Sequence, residues 1–125
     1  ININEDISVI GYPGEFSQVI LNLIANAKDA FASSDTDNRH IDITAYNSDS
    51  FAEITVKDNA GGIDEHIFER IFEPYFTTKH QAQGTGLGLY MAKMIIEQSM
   101  GGSIWVKNID GGAQFTIRIP YEAIA

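Results

Sequence analysis

The 125-residue chain is predicted to fold as an α+β two-layer sandwich, and two observations carry this prediction. Segments 14–32 and 87–100 repeat apolar residues at the spacing of an amphipathic helix. Three further segments, 41–45, 51–58 and 113–119, place apolar residues at alternate positions as strands do, and 103–109 is predicted as a fourth strand. Helices and strands with one apolar face each have to bury those faces against one another, so the pattern favours helices packed on a sheet.

Composition and charge exclude several classes of protein. Apolar residues make up 44% of the chain, enough for one domain with a core. There is no cysteine, which excludes disulfides and thiolate metal sites, and no apolar run approaches the roughly 20 residues of a membrane span. A net charge of −9 argues against partners such as nucleic acid or an anionic membrane, but it allows a phosphate ligand neutralised by Mg²⁺. Because residue 1 is Ile rather than Met, we expect a fragment of a longer protein.

The helix predicted for residues 14–32 has two different faces, and Pro13 suits its first turn. The core face consists of Phe16, Val19, Ile20, Leu23, Ala27 and Phe31, and the opposed face of Gln18, Asn22, Asn26 and Asp29. A merely solvated face would more often carry Glu and Lys, because Asn is a poor helix former. The polar face is therefore open to two interpretations, a solvated surface and a ligand-binding stripe.

Asp58 ends the strand predicted for residues 51–58 and shares the parity of its small and apolar residues. Alternation therefore aims the carboxylate at the buried side of the sheet, where a charge needs a partner. That partner is either a group of the protein itself, in a salt bridge or a turn, or a ligand donor such as the amino group of a base. Two glycines follow and permit close approach of the backbone.

The second long helix begins inside the glycine-rich run Gly84-Thr85-Gly86-Leu87-Gly88-Leu89. Such a run is weak evidence by itself, since most are only loops. Its position places backbone N–H groups at a helix N-terminus, which favours an anion. The run lacks the Lys-Ser/Thr ending of a P-loop, and no strand leads into it as a dinucleotide fingerprint requires. If it holds phosphates, it does so in another fold.

The remaining segments are shorter. Residues 1–10 predict one or two short strands, and residues 63–71 predict a short helix, beyond which Pro74 ends any helix. The irregular, glycine-rich stretch 74–88 reads as a mobile lid. Gly101-Gly102 predicts the end of the second helix, and Asp110-Gly111-Gly112 predicts a hairpin turn.

Four segments in this order resemble the catalytic and ATP-binding domain of sensor histidine kinases, in the superfamily of gyrase, heat-shock chaperone and MutL ATPases. Residues 18–30 resemble its N box, 58–63 its G1 box, 68–79 its F box and 84–89 its G2 box. The resemblance covers about residues 6–121. It implies a Bergerat-type ATP-binding fold, with a mixed, mostly antiparallel sheet of about five strands packed against about three helices. It also implies that residues 1–125 form a single domain whose phosphoacceptor and dimerisation domain lies elsewhere.

The same resemblance implies roles for individual residues. Asn26 would ligate Mg²⁺ and Asn22 would support the phosphates or the metal, with Lys79 reaching the phosphates as the third catalytic residue. Asp58 would accept a hydrogen bond from the adenine amino group. Gly62 and Ile63 would frame the base. The other residues that the resemblance places against the nucleotide are Asp29, Thr78, Gly84, Thr85, Gly86, Leu87, Gly88 and Leu89.

The activity implied is transfer of a phosphoryl group from Mg²⁺-ATP to a histidine of the separate domain, upstream of a response regulator. We expect a cytoplasmic location, no direct membrane contact by this domain, and no self-phosphorylation by the fragment. Two departures from the family pattern are Ala60 in place of a glycine and a lid of only four residues between Lys79 and Gly84, similar to nitrogen-regulation sensors. Alternatives are an ATPase head like those of gyrase or MutL, an anti-sigma-factor-like serine kinase, and a non-enzymatic binding module. The first two are disfavoured because those relatives have a glutamate base where this chain has Asn22.

Overall fold

The computed structural model describes residues 2–3, 13–32, 37–76 and 87–121, and within them a five-stranded sheet. The strands are β1 Asn2–Ile3, β2 Ile41–Asn47, β3 Phe51–Asp58, β4 Ser103–Ile109 and β5 Gly112–Pro120. Their spatial order is β1-β2-β3-β5-β4. The short β1 pairs parallel with β2, and every other neighbouring pair is antiparallel. The predicted mixed, mostly antiparallel sheet is thereby confirmed.

Two long helices cover one face of this sheet. Helix α1 spans Pro13–Ala32, as the sequence predicts. Helix α2 spans Gly88–Met94 and widens into a π-helical turn over Ile95–Ser99, where the sequence predicted one uniform helix. The wider turn allows the consecutive residues Ile95 and Ile96 both to be buried. A hydrogen bond joins Ser99 Oγ to Glu15 Oε2 over 3.1 Å, so the end of this segment lies beside the start of α1.

The third predicted helix, over residues 63–71, is replaced by two 3₁₀ turns at Glu65–Ile67 and Arg70–Phe72. So short a stretch gains little from helix propagation, so tertiary packing decides its winding. The turns direct Ile71 and Phe72 into the core, where the Phe72 ring meets Phe115 edge-on with centroids 6.1 Å apart.

The core lies between the helices and the inner face of the sheet. Alternate residues of β3 are buried, as its parity predicts, and they meet Val19 and Leu23 of α1 and Ile96 of the π-helical turn. Each large side chain that is fully buried contributes about 1.5–3 kcal/mol to folding. The described residues include no helix that is long and apolar enough to cross a membrane.

One end of the sheet is shaped by close backbone approaches. The β4–β5 hairpin turns at Asp110 and Gly111, which have φ of 46° and 77°. Gly112 then passes so near β3 that an added Cβ would lie 1.6 Å from the carbonyl oxygen of Asp58. The absence of a side chain at Gly112 therefore lets β3 and β5 end side by side, with Asp58 at the edge of the core.

Candidate functional site

A cavity of about 460 Å³ opens where α1, the end of β3, the following loop and the start of α2 meet. Its lining consists of Asn22, Ala25, Asn26, Asp29, Ala30, Asp58, Ala60, Gly62, Ile63, Asp64, Ile67, Ile71, Phe76, Gly88, Leu89 and Ala113. The lining is apolar at the 3₁₀ turns and polar along α1. Such a mixture, with a few placed polar groups, is typical of small-molecule sites.

The Asp58 carboxylate lies in the wall of the cavity with only 3% of the residue exposed. Its Oδ1 accepts hydrogen bonds from the backbone N–H groups of Ala60, at 3.0 Å, and Ala113, at 3.2 Å. These two donors fix the orientation of the carboxylate. None of the described residues donates a hydrogen bond to Oδ2. The second oxygen is therefore the group of this wall that can accept a hydrogen bond from a ligand.

The polar face of α1 provides the opposite wall, with Asn22, Asn26 and Asp29 all lining the cavity. The amide of Asn22 is already engaged on both sides. Its Oδ1 accepts from Gln18 Nε2 at 2.8 Å, and its Nδ2 donates to the carbonyl of Gly88 at 3.1 Å. Asn22 therefore ties α1 to the start of α2.

Of the glycine-rich run, residues 87–89 are among the described residues. Gly88 and Leu89 line the cavity, and Leu87 precedes α2 as its N-cap, outside the lining. The backbone N–H of Met91 donates to the carbonyl of Leu87 at 2.8 Å, which starts the helix. The other predicted nucleotide contacts, Thr78, Lys79, Gly84, Thr85 and Gly86, lie outside the described residues.

The loop after β3 carries Gly62 and Ile63 along a third side of the cavity. Asn108 of β4 holds this loop through both of its amide atoms. Oδ1 accepts from the backbone N–H of Ile63 at 2.8 Å, and Nδ2 donates to the carbonyl of Ile63 at 2.7 Å. Sequence reasoning missed Asn108. The available signal was its residue type, since Asn is depleted in strands.

The charge of the lining is negative. Three carboxylates, those of Asp29, Asp58 and Asp64, line the cavity, and the described part of the lining contains no Lys or Arg. The backbone N–H of His66 donates to Asp64 Oδ1 at 2.9 Å, and this bond, with a second from the His66 ring, lowers the pKa of Asp64. Asp64 is therefore ionised at neutral pH, and an anionic ligand here needs a cation.

Sequence reasoning also missed the apolar floor of the cavity. Ile67 and Ile71, from the predicted short helix, line it together with Phe76, which follows Pro74. The guanidinium of Arg70 lies 4.8 Å from the centroid of the Phe76 ring. Their positions depend on the 3₁₀ turns, which periodicity does not predict.

Metal binding through a cluster of side chains is not supported. Across the described ranges, no group of three or more His, Cys, Asp or Glu residues could hold a metal ion. Asn26, the predicted Mg²⁺ ligand, can offer one amide oxygen. This donor set fits a hard cation that keeps waters and phosphate oxygens as its other ligands.

The fold and the sequence both match a known family. A family model described as "Histidine kinase-, DNA gyrase B-, and HSP90-like ATPase" matches residues 11–123, and the chain belongs to this family. The two-component sensor PprA of Pseudomonas aeruginosa is 40% identical over 120 residues, covering 94% of this chain and 13% of PprA. The sensor histidine kinase ZraS of Salmonella typhimurium is 47% identical over 113 residues, covering 89% of this chain and 23% of ZraS.

Solved structures narrow the class to the catalytic domains of histidine kinases. The catalytic domain of histidine kinase ThkA superposes with a TM-score of 0.81 at 35% identity, covering 95% of this chain and 79% of that one. ThkA in complex with the response regulator TrrA superposes with a TM-score of 0.76 at 33% identity, covering 95% and 32%. The chain is a histidine-kinase-type ATP-binding domain, homologous to those of sensor kinases. It spans less than a quarter of the length of PprA or ZraS.

Proposed function

We propose that this domain binds Mg²⁺-ATP in the cavity and supplies the γ-phosphoryl group to a histidine on a separate dimerisation domain of the same parent protein. The observation that carries the proposal is the buried Asp58 carboxylate, which has one oxygen committed to the backbone and one without a donor. This second oxygen is not one of the fully buried atoms without a partner among the described residues, so it is open to the cavity, where a ligand amino group can take the place of water.

The adenine end of the ligand would lie against Asp58. The exocyclic amino group of adenine is a neutral donor that suits Oδ2, whereas guanine carries an acceptor at the same position. Gly62 and Ile63 would frame one side of the base, and the apolar floor would cover the rest. The cavity volume of about 460 Å³ is within the range of small-molecule sites.

The phosphate end would lie between α1 and the start of α2. Asn26 would offer its amide oxygen to Mg²⁺, whose chemistry here is to neutralise the phosphate charge. The acidic lining supports this need for a cation. Asn22 would support the phosphates or the metal from beside the start of α2, because its Nδ2 donates to Gly88 and its Oδ1, which accepts from Gln18, has a second lone pair. Asp29 and Leu89 would lie beside the nucleotide.

The segment 77–86 would complete the phosphate site. We assign Lys79 the neutralisation of phosphate charge and Thr78 a supporting contact. Gly84, Thr85, Gly86 and the backbone at Leu87 would cradle the phosphates. In the reaction, an imidazole nitrogen attacks the γ-phosphorus while the bond to the β–γ bridging oxygen breaks. ADP leaves with that electron pair, and the imidazole proton passes to solvent. The domain contributes positioning and charge neutralisation.

A partner domain and a response regulator are proposed for this chain by analogy with its relatives. ThkA, with 33% identity, forms a complex with its response regulator TrrA, so a receiver domain is proposed as the downstream acceptor here. Response regulators and ATP share the cytoplasm, which is therefore the proposed location of this domain. The proposal holds for a parent protein that is anchored in a membrane and for one that is not, because both would present the same domain.

An ATPase head or a serine kinase is disfavoured by the chemistry of Asn22. An amide cannot accept the proton of an attacking water or hydroxyl. Both of its polar atoms are also committed, one to Gln18 and one to Gly88. Rapid ATP hydrolysis by the isolated domain would favour the alternative class.

The test is calorimetric titration with a non-hydrolysable ATP analogue and Mg²⁺, comparing Asp58→Asn with its parent. We expect a loss of about ten- to a hundredfold in affinity, the size of a lost buried charged hydrogen bond. Asn can keep Oδ1 on the two backbone donors and turns a donor toward the base, so the preference for adenine over guanine nucleotides should also fall. The control is Asp42→Asn, the same change on an exposed residue of β2. Parent-like affinity in Asp58→Asn would refute the assignment.

A further inference from the structure

We propose that Asn108 is a positioning residue for nucleotide binding, acting through the backbone of Ile63; this inference rests on the proposed function. Asn108 is exposed on β4 and is not part of the cavity lining. Its side-chain amide nevertheless forms two hydrogen bonds, of 2.8 and 2.7 Å, with the N–H and the carbonyl of Ile63. Asn108, which would not contact the nucleotide, thus holds in place Ile63, which lines the cavity.

The loop that Asn108 holds has little conformational restraint of its own. Gly61 and Gly62 have φ of 103° and 87°, a region that glycine adopts at low cost. Glycine can also adopt many other backbone conformations, so these residues do not restrain the loop by themselves. The residues before Gly62 have their own hydrogen bonds, from the N–H of Ala60 to Asp58 Oδ1 at 3.0 Å and from the N–H of Gly61 to the carbonyl of Gly111 at 2.8 Å.

Among the described residues, no hydrogen bond other than the two of Asn108 holds Gly62 or Ile63. We call the two hydrogen bonds between the Asn108 amide and the backbone of Ile63 the clamp. Without the clamp, Gly62 and Ile63 would sample more conformations, and ligand binding would have to order them.

The clamp also fits closely around Gly62. An added Cβ at Gly62 would lie 2.7 Å from Asn108 Oδ1, so the amide occupies the space that a side chain at residue 62 would need. The side chain of Asn108 therefore closes on the outer side of the loop while the inner side lines the cavity.

The β4–β5 hairpin links this clamp to the acid that would bind adenine. Asn108 pairs in register with Ala113 of β5. The N–H of Ala113 donates to Asp58 Oδ1. This one cross-strand pair therefore contacts both walls of the proposed base site. Ala113 holds Asp58, and Asn108 holds Ile63. The hairpin acts as the template that fixes their spacing.

The chemistry of the clamp requires a donor and an acceptor on one planar group. Asn108→Ala removes both, and water can replace them because the site is exposed. Asn108→Asp keeps an acceptor for the Ile63 N–H but turns a second acceptor toward the Ile63 carbonyl. The two variants therefore separate loss of the clamp from loss of one bond, with Lys107→Ala as the control on the same strand.

The first measurement is nucleotide affinity, by titration of the ATP analogue. We expect Asn108→Ala to weaken binding about five- to thirtyfold, as for ordering the backbone of one extra residue. Asn108→Asp keeps the bond to the Ile63 N–H and should lose less affinity than Asn108→Ala, and Lys107→Ala should bind as the unsubstituted chain does. The melting temperature of Asn108→Ala should match that of the unsubstituted chain. Its nucleotide affinity should still depend on Mg²⁺, because the substitution does not alter the proposed phosphate site. Parent-like affinity in Asn108→Ala, or a loss explained by the unfolded fraction alone, would overturn the proposal.

The second measurement does not depend on nucleotide. Amide hydrogen exchange at Ile63, followed by NMR in the free protein, should accelerate in Asn108→Ala and stay slow in Asn108→Asp, which keeps the acceptor. Unchanged exchange in Asn108→Ala would refute the clamp. If the unsubstituted chain fails to bind the ATP analogue while amide exchange at Ile63 behaves as expected, the proposed function is wrong and the clamp is still supported.

Discussion

At the scale of single residues, the chemistry of the cavity depends on which polar atoms are already committed. Asp58 keeps one oxygen without a donor among the described residues, whereas both polar atoms of the Asn22 amide are engaged. Two residues of similar polarity therefore have different proposed roles, one as a ligand acceptor and one as a brace between helices. The resemblance gives Asn22 a supporting role at the phosphates or the metal, and the contacts add that Asn22 joins α1 to the start of α2.

A first prediction concerns Asn26. Asn26→Ala removes the amide oxygen proposed for Mg²⁺, so nucleotide affinity should become insensitive to Mg²⁺ while metal-free binding changes little. Titrations of the ATP analogue with Mg²⁺ and with a chelator measure this difference. Lys28→Ala, an exposed change on the same helix, is the control. Equal Mg²⁺ dependence in Asn26→Ala and the parent would remove Asn26 as the ligand.

At the scale of elements, the site depends on how closely β3 and β5 end together. Gly112 is buried, and its backbone lies against the carbonyl of Asp58. Because the approach is between two backbones, no rotamer change can relieve a clash there. The geometry of the Asp58 carboxylate is therefore set by a glycine on the neighbouring strand.

We expect Gly112→Ala to destabilise the domain by at least the roughly 1–3 kcal/mol of an overpacked core, because β3 and β5 have to separate at this end. Nucleotide affinity should fall with it, since Ala113 would no longer reach Asp58. Urea denaturation measures the first effect and titration the second. Gly14→Ala, where a Cβ would meet nothing within 4 Å, is the matched control. A stability equal to that control would contradict the argument.

At the scale of the whole molecule, the described residues contain the proposed nucleotide site and two histidines, neither of which is placed as a phosphoryl acceptor. Of the described histidines, His66 is exposed and held by Asp64, and His40 lies at the entry to β2, bound to Asn38 and Asn59. Neither lies in a pair of long helices. Phosphoryl transfer by this domain therefore calls for a second domain that brings its histidine to the cavity.

The corresponding prediction is that the isolated chain binds nucleotide but does not phosphorylate itself. After incubation with radiolabelled ATP and Mg²⁺, no acid-labile, base-stable phosphoprotein should form. ATP turnover should be slow, because Asn22 cannot act as a base for water. A parallel reaction with a two-helix histidine domain from the parent protein is the positive control. Clear labelling of the isolated chain would overturn the prediction.

Much of the molecule follows from local patterns. Helical spacing predicted α1, and the strand patterns predicted β2 to β5, including the buried face of β3 and the inward parity of Asp58. Glycines predicted the hairpin turn and the end of the second helix, and four ordered motifs predicted the family. These properties could be predicted because periodicity and turn chemistry are set by residues near one another in the chain.

Tertiary structure decided the rest. The 3₁₀ turns replace a helix because core packing of Ile71 and Phe72 outweighs the propensity of so short a segment. The clamp joins Asn108 to Ile63 across 45 residues, and it exists because β4 and β5 pair in one particular register. The sequence by itself determined which residues are polar and inward-facing; only the pairing of distant strands and helices decided which polar atoms are satisfied internally and which remain to bind a ligand.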